Sequence, residues 1–553
     1  MDTSVRELAD QFHERWLRAH PFTASLYGIP GYDDRVPDDS EAGEAAWRAE
    51  LEAIRADARR FERSSLAEAD AITLGCLVEN IDQEVRELDS RLLEHDVSAM
   101  PFTGPAVLLA TGARTVIDDE QAATDYLARL QRSGEWVDQQ TEQLRIGAAK
   151  GRLPVAPLVE QAIEWGDNVL RPAVPEALAA PQPPDGWAGS AAWFEQRDAL
   201  AAEVVKPALA RWIGLLRELL PRARSSDEPG LVYIPGGEAD YENCVRSSTT
   251  LPLSPDEIHR IGLEEIAALE DRALELGSRL GLGSLADVHR AARASAVNHP
   301  GADAILAATA AIRRAEERAG EVFPEPLPPP CEVTAMPTVV ASSGTPPHYT
   351  PPRLDGGRPG TFWFNLERPT AGTGWDLEVV AFHEGVPGHH LQLSRIQMLD
   401  DLPPMQRQRS LSVFSEGWGL YAEQLAEEMG LYSGTEGLLG AVTASLHRAA
   451  RLVVDTGLHA LGWSREQARR FVADHVPMPE AFLASEIDRY IVMPGQALSY
   501  LIGKRELLRL REEAITRLGP SFTVPGFHAA VLDSGSLPMP VLADKLGSWS
   551  GSG

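Results

Sequence analysis

The stretch that says most about the fold reads Ala381-Phe382-His383-Glu384-Gly385-Val386-Pro387-Gly388-His389-His390-Leu391-Gln392, and it holds three of the 14 histidines of the chain. Apolar residues at helical spacing, from Leu377 to Phe382, precede the first histidine and predict a helix. A His-Glu pair followed by another histidine is the pattern with which zinc hydrolases place two imidazole ligands and a carboxylate base. The stretch therefore predicts a metal site with His383 as its first ligand and Glu384 as a candidate base.

The spacing of the histidines departs from the usual pattern, in which the second follows the first by four residues and lies one helical turn away. Here the second histidine follows by six residues, at His389, or by seven, at His390. On a straight helix His389 would point about 120° away from His383, and His390 would lie about 10 Å further along. Since zinc–nitrogen bonds are about 2.0–2.1 Å long, an unbroken helix cannot bring either pair to one ion.

The residues between the histidines predict that this helix is irregular. Pro387 lacks a backbone N–H and clashes with the preceding turn, and two flanking glycines add conformational freedom. If the resulting bulge absorbs two residues, His389 returns to a one-turn relation with His383. We therefore expect a zinc helix with a two-residue insertion, in which His389 is the second ligand and His390 is the alternative.

A third ligand is predicted on a second helix, in the stretch Phe414-Ser415-Glu416-Gly417-Trp418-Gly419-Leu420-Tyr421-Ala422-Glu423. Catalytic zinc sites use three protein ligands and leave one position open for water. Glu416 follows His389 by 27 residues, which is enough for the first helix to end, turn and return antiparallel. Glu416 is therefore the expected third ligand. Glu423 lies two turns further, about 10 Å along the helix, and is expected to support the site indirectly or to lie at the surface.

Helical periodicity dominates the rest of the sequence and predicts a mainly α fold. We expect an N-terminal helical region at 1–222, a linker at 223–253, and a C-terminal helical region at 254–548 that carries the metal site. The last region begins with a predicted capping box formed by Ser254 and Glu257. Two short strands are expected beside a proline-rich stretch, at Cys331–Met336 and Thr361–Leu366.

The composition narrows the partners and the cellular location. The chain has 553 residues and a formal net charge of −30, which argues against binding to nucleic acid or anionic membranes, because both need clustered Lys and Arg. The three cysteines are far apart and suggest no disulfide framework. The first residues lack the apolar segment of a secretory signal, and no run of about 18 apolar residues occurs. We therefore expect a cytoplasmic protein that contacts neither nucleic acid nor a membrane.

Four motifs resemble the bacterial family called domain of unknown function 885, and they read H-E-G-V-P-G-H-H-L-Q, S-E-G-W-G-L-Y-A-E, R-L-V-V-D-T-G-L-H-A-L-G-W-S and M-P-G-Q-A-L-S-Y. That family looks like a distant relative of the gluzincin metallopeptidases. The resemblance implies a zinc ion (Zn2+) on His383, His389 and Glu416, with Glu384 as general base. It also implies a large, mainly helical, metallopeptidase-like fold with a central cleft and a short β-sheet beside the zinc helix.

Several other residues are candidates for roles around this site. A tyrosine hydroxyl that stabilises a developing oxyanion is a common need in such chemistry, and we expect Tyr500 or Tyr490 to provide it. Arg489, next to Tyr490, is a candidate for contacting the substrate. Asp455 and His459 lie four residues apart on one predicted helix. They either orient a metal ligand or form an ordinary buried polar pair.

These features favour a zinc-dependent peptidase that cleaves short peptides, in which Glu384 transfers protons. Two alternatives use the same residues. The protein is either a zinc hydrolase of another amide or ester, or a helical scaffold with a structural metal site. A structural site has no use for a carboxylate base next to a ligand, and Glu384 therefore argues against the scaffold. The expected partner is a peptide or another small amide.

Overall fold

The structure is a computed structural model that describes residues 4–101, 103–295, 301–336, 346–353, 356–366 and 374–551. The chain forms two compact units. One unit comprises Met1–Phe61, Ile81–Asn243 and Gly462–Arg465, and the other comprises Glu62–Asn80, Cys244–Leu461 and Glu466–Gly553. Helices dominate both units, which confirms the mainly α fold.

The helices up to residue 249 are α1 (Val5–Ala19), α2 (Pro21–Leu26), α3 (Glu41–Ala58), α4 (Glu68–Ser90), α5 (Ala106–Arg114), α6 (Glu120–Ala149), α7 (Ala156–Leu170), α8 (Glu176–Ala179), α9 (Ser190–Leu200), α10 (Lys206–Leu219) and α11 (Gly237–Thr249). The core of the first unit is built from apolar faces of these helices, because amphipathic helices are stabilised mainly by burying such faces. Trp136 and Trp212 are the largest side chains of that core, and each is almost fully buried.

The remaining helices are α12 (Pro255–Arg279), α13 (Leu285–Ser295), α14 (Gly301–Glu316), α15 (Leu377–Glu384), α16 (His389–Gln397), α17 (Pro404–Gln408), α18 (Ser412–Glu428), α19 (Thr435–His459), α20 (Arg465–His475), α21 (Glu480–Val492), α22 (Ser499–Leu518), α23 (Val524–Leu532) and α24 (Met539–Ser548). In the second unit α12 packs along α19, and α18 packs along α22. The short helix α15 lies against α14, α18 and α19. This packing surrounds the His-Glu pair at the end of α15 with other helices.

The predicted capping box is confirmed at the start of α12. The Ser254 hydroxyl accepts a hydrogen bond from the Glu257 N–H at 3.3 Å, and the Glu257 carboxylate accepts one from the Ser254 N–H at 2.9 Å. Upstream of it, the predicted linker at 223–253 contains helix α11. The side chains of Tyr241 and Val245 on α11 are each 1% exposed. A helix forms there because its apolar face is buried, although glycine and serine surround it.

A three-stranded sheet is the β structure found in the second unit within the described residues. Its strands are β1 (Glu332–Ala335), β2 (His348–Thr350) and β3 (Thr361–Phe364), in the order β1-β3-β2. β3 pairs parallel with β1 and antiparallel with β2. The structure confirms the two predicted strands. β2 was not predicted, because prolines flank it on both sides, but an edge strand tolerates neighbouring prolines.

None of the described helices combines the length and the apolar character needed to cross a membrane.

Candidate metal centre

The helix that carries the His-Glu pair is interrupted rather than bulged. α15 ends at Glu384 and α16 begins at His389, and residues 385–388 form a turn. A Cβ atom on Gly388 would lie 1.9 Å from the His383 carbonyl oxygen, so only glycine fits the turn. The Trp418 indole N–H of α18 donates to the Pro387 carbonyl oxygen at 3.0 Å and fixes the turn from below. The predicted continuous helix with a two-residue insertion is therefore wrong, because the backbone reverses direction enough to start a new helix.

The turn brings His383 and His389 together with Glu416 of α18. Nε2 of His383 lies 3.5 Å from Oε2 of Glu416, and Nε2 of His389 lies 3.6 Å from the same oxygen. The two imidazole rings are nearly perpendicular, with centroids 4.7 Å apart. One possible ligand atom from each of the three residues lies within 4.8 Å of the other two.

The spacing of these atoms fits a shared metal ion better than direct hydrogen bonds. Distances of 3.5 and 3.6 Å exceed the 2.7–3.2 Å range of about 2.9 Å typical of N–H···O bonds. Two ligands of a tetrahedral zinc ion, each about 2.0–2.1 Å from it, lie about 3.3 Å apart. Nδ1 of His389 is buried and has no hydrogen-bond partner among the described residues. Two imidazoles and one carboxylate are a donor set that suits zinc and leaves a position open.

Glu423, two turns after Glu416 on α18, lies behind His383. Its carboxylate is 2.8 Å from Nδ1 of His383, and its side chain is 3% exposed. An ionised carboxylate accepts only, so Nδ1 carries the proton and the Nε2 lone pair of His383 faces Glu416. Glu423 therefore fixes the tautomer and the orientation of His383, in the way that carboxylates support metal-binding histidines.

The electrostatics of this cluster favour a bound cation. Burial alone would lower the pKa of His383, but its contacts with Glu416 and Glu423 outweigh burial and raise the pKa to about 10. Burial alone would raise the pKa of Glu416, but its contacts with His383 and His389 hold that pKa well below the usual range. Both carboxylates are thus ionised, and they face imidazoles that a divalent ion could bind in place of a proton.

His390 points away from this cluster and has both ring nitrogens engaged. Its Nε2 is 2.7 Å from the Pro329 carbonyl oxygen, and its Nδ1 is 3.1 Å from the Tyr349 hydroxyl. A carbonyl oxygen accepts only, so Nε2 carries the proton and Nδ1 accepts from Tyr349. Burial lowers the pKa of His390 and keeps the ring neutral. Of the two alternatives for the second ligand, the geometry therefore favours His389.

Glu384 is held by the edge of the sheet. Its Oε2 accepts a hydrogen bond from the backbone N–H of Tyr349 in β2, at 2.8 Å. The carboxylate lines a cavity of about 180 Å³. Because Glu384 directly follows His383, its side chain lies beside the cluster without joining the three ligand atoms. This placement suits a group that exchanges protons with a molecule in the cavity.

The two candidate tyrosines lie in a buried network of charged residues. The Tyr490 hydroxyl donates to Glu486 at 2.8 Å and accepts from Nε of Arg451 at 3.2 Å. The Tyr500 ring lies under the Arg451 guanidinium, with 4.7 Å between the guanidinium carbon and the ring centroid. Arg489 interacts with the Tyr500 hydroxyl and donates to a nearby glutamine side chain. The Tyr490 hydroxyl is thus already committed within this network, whereas that of Tyr500 has the neighbouring Arg489.

Asp455 and His459 are fully buried on α19 and contact the backbone near residues 490–495. The Asp455 carboxylate accepts from the backbone N–H of Gly495 at 3.0 and 3.2 Å. Nε2 of His459 lies 2.9 Å from the Tyr490 carbonyl oxygen. These contacts hold α19 against the turn that follows α21, which is the work of a buried polar pair.

Sequence reasoning missed two contributors to this region. Tyr349 touches both Glu384 and His390, yet its strand was not predicted. Arg448 lines the cavity beside Glu384 and approaches Glu423 at 3.9 Å. The seven-residue spacing of Glu416 and Glu423 could have placed both on one helix face, because seven residues make nearly two turns. No local signal marks Tyr349 or Arg448, since both reach the site through tertiary packing.

Two solved structures share this fold. The "putative lipoprotein from Colwellia psychrerythraea" is 26% identical, with a TM-score of 0.88 over 99% of this chain and 99% of that chain. A "putative lipoprotein of unknown function from Shewanella oneidensis" is 17% identical, with a TM-score of 0.73 over 98% of this chain and 99% of that chain. The second likeness shows the fold alone. No curated protein shows significant similarity to the chain.

These structures contradict the expected cytoplasmic location. Both belong to proteins described as lipoproteins, a class that a lipid attaches to a membrane. The expectation of a cytoplasmic protein is therefore wrong. It relied partly on the cysteines, which are buried and unpaired. Unpaired cysteines do not require a reducing compartment, because a chain of this size buries enough apolar surface to fold without disulfides.

The family itself follows from the whole sequence. The description "Bacterial protein of unknown function (DUF885)" matches residues 21–546. This range includes the His-Glu pair and the α18 motif, and it agrees with the resemblance of the four motifs. The chain therefore belongs to the DUF885 family of bacterial proteins of unknown function.

Proposed function

We propose that this protein is a zinc-dependent hydrolase, and more narrowly a metallopeptidase that cleaves short peptides. The convergence of His383, His389 and Glu416, with Glu384 beside them, carries the proposal. A gluzincin-like arrangement of this kind has two histidines and a glutamate from a following helix as ligands, which is the donor set present here. The proposed cleft of such an enzyme corresponds to the cavity that Glu384 lines.

Each residue of the site has a distinct task in this proposal. His383, His389 and Glu416 hold the ion, which supplies a Lewis acid that polarises a carbonyl oxygen and acidifies water. Glu423 keeps the His383 ring oriented through its 2.8 Å contact with Nδ1. Glu384 accepts a proton from the attacking water and passes it to the leaving amine.

The hydrogen bond from the Tyr349 N–H defines the position of this base. It occupies one carboxylate oxygen of Glu384 and leaves the other free to exchange a proton. The donor is a backbone group of a paired strand, so its position does not depend on a side-chain rotamer. The carboxylate is therefore oriented before any substrate arrives, which lowers the cost of reaching a reactive geometry.

The decisive experiment compares zinc content and peptide cleavage in wild-type protein and Glu384→Gln. We expect about one zinc per chain in both, removable by a chelator, because Glu384 is not a ligand. Cleavage of a peptide library, read by mass spectrometry, should fall by at least about 10²–10⁴-fold in the variant. Glu436→Gln makes the same chemical change at an exposed position of α19 and should leave both properties unchanged.

The other outcomes separate the alternatives. A structural metal site predicts zinc in wild-type protein and no cleavage of any peptide, amide or ester. A ligand role for Glu384 predicts that zinc and cleavage are lost together. A panel of small esters and non-peptide amides, digested in parallel, decides between a peptidase and another zinc hydrolase.

A further inference from the structure

The cavity beside Glu384 has one cationic wall. Helix α19 contributes His447, Arg448 and Arg451 to it, and the lining also includes the apolar side chains of Met478 and Phe482. Burial lowers the pKa of His447 to about 3, so this ring is neutral. The charge of the wall therefore comes from the two arginines, and their partners decide whether either is available to a ligand.

Arg451 is already neutralised by the protein. Its guanidinium donates to the Glu486 carboxylate at 2.9 Å, and both side chains are 7% exposed. It also donates to the Tyr490 hydroxyl and stacks on the Tyr500 ring. Arg451 thus has a carboxylate of its own and serves the packing of α19 against α21.

Arg448 has no comparable partner among the described residues. Its nearest carboxylate, Glu423, lies 3.9 Å from Nη2 and is engaged by His383 at 2.8 Å. Its Nη1 donates weakly to the Ala444 carbonyl oxygen at 3.3 Å, and its buried Nε has no hydrogen-bond partner in the described part of the chain. The side chain is 18% exposed. A largely buried cation is costly unless an anion pairs with it.

We propose that Arg448 binds the terminal carboxylate of a peptide, so that this protein removes residues from free C-termini. This inference rests on the proposed peptidase function. An arginine fork matches a carboxylate with two parallel hydrogen bonds, and Arg448 offers Nε together with an Nη group. The apolar part of the lining suits an apolar side chain on the last residue.

The geometry limits how many residues the enzyme releases. Glu423 contacts both Arg448 and His383, so the guanidinium is two contacts away from a metal-binding ring. One residue of extended chain spans about 3.3–3.6 Å. A scissile bond beside Glu384 and a carboxylate on Arg448 are thus separated by one or two residues, which predicts release of single residues or dipeptides.

The test uses the zinc-loaded, full-length protein and three versions of one peptide with an apolar last residue. They end in a free carboxylate, in an amide, or in a glutamate amide that keeps a side-chain carboxylate. We expect the free acid to be cleaved near its C-terminus, with kcat/KM at least about 10-fold above either amide, because a hydrogen bond to a charged group is lost. Arg448→Gln should lower kcat/KM for the free acid about 10- to 100-fold and bring the free acid and the amides close together. Arg448→Lys should recover part of the difference, whereas Arg470→Gln, an exposed charge loss on α20, should recover wild-type behaviour.

Other results would overturn this inference and are distinguishable from failure of the proposed function. Equal cleavage of acid and amide by wild-type protein, or internal cleavage of both, refutes a C-terminal preference but leaves a peptidase. Equal cleavage of the free acid and the glutamate amide shows that Arg448 recognises an acidic side chain instead. If no peptide is cleaved, the proposed function fails, and calorimetry on zinc-loaded Glu384→Gln still decides the carboxylate question. Equal affinity for acid and amide there, or an unchanged difference after adding Arg448→Gln, refutes the role of Arg448.

Discussion

Replacing His389 and His390 separately by alanine makes the same chemical change at two adjacent residues with different surroundings. His389 faces His383 and Glu416 and leaves a buried Nδ1 without a partner among the described residues. His390 spends both nitrogens on the Pro329 carbonyl and the Tyr349 hydroxyl. We therefore expect His389→Ala to lose zinc affinity and His390→Ala to lose stability instead.

The two effects differ in size as well as in kind. Structural zinc sites with four ligands bind with about 10–16 kcal/mol, so one ligand contributes about 3 kcal/mol, or about 10²-fold in affinity. His390→Ala removes two hydrogen bonds and leaves a carbonyl and a hydroxyl unsatisfied in a site that is 3% exposed. Losses of this type cost about 2–4 kcal/mol of unfolding free energy.

Two measurements on each variant separate these outcomes. Elemental analysis and competition with a zinc-binding dye give the stoichiometry and the affinity, and denaturant unfolding of the metal-free proteins gives the stability. Metal-free His389→Ala should unfold close to wild-type protein, since its ring is not hydrogen-bonded through Nδ1. Retention of wild-type zinc affinity by His389→Ala, or its loss in a folded His390→Ala, would refute the assignment of the second ligand.

Three further variants test the surroundings of the site. Gly419→Ala places a Cβ about 2.5 Å from Cε1 of His383, so zinc affinity should fall roughly 10- to 100-fold, as when support of a ligand is lost; unchanged affinity would mean that the ring has room to move. Glu423→Gln keeps the shape but removes the charge behind His383, and a similar loss is expected in a zinc titration; tighter binding would contradict an orienting role. Tyr490→Phe removes the hydroxyl that links Glu486 to the buried arginine, so unfolding free energy should drop by about 1–3 kcal/mol with zinc content unchanged; lost zinc with intact stability would place the hydroxyl in the metal site.

Local sequence signals were sufficient for the features that depend on neighbouring residues. The capping box at Ser254 and Glu257 needs only a three-residue spacing, and it is present. The mainly α character and the strands β1 and β3 follow from periodicity and residue type over short windows. The interruption after Glu384 was anticipated as an irregularity because Pro387 cannot continue a helix.

Features that depend on contacts between distant residues could not be predicted in the same way. β2 is too short and too close to prolines to be visible, yet it supplies the N–H that holds Glu384. The side-chain choice between His389 and His390 depends on Pro329 and on how the turn is packed, neither of which spacing reveals. The incomplete pairing of Arg448 is visible only once its neighbours on other helices are known.

Helix α18 combines contacts that depend on a single rotational register. Along one helix, Glu416 faces the histidines, Gly419 leaves clearance for a ring, Glu423 supports that ring, and Trp418 fastens the turn before His389. One inserted or deleted residue inside this segment would rotate everything beyond it by about 100° and separate these contacts from one another. Length variation in relatives should therefore be confined to the connection before Ser412, while the segment from Glu416 to Glu423 keeps a constant length.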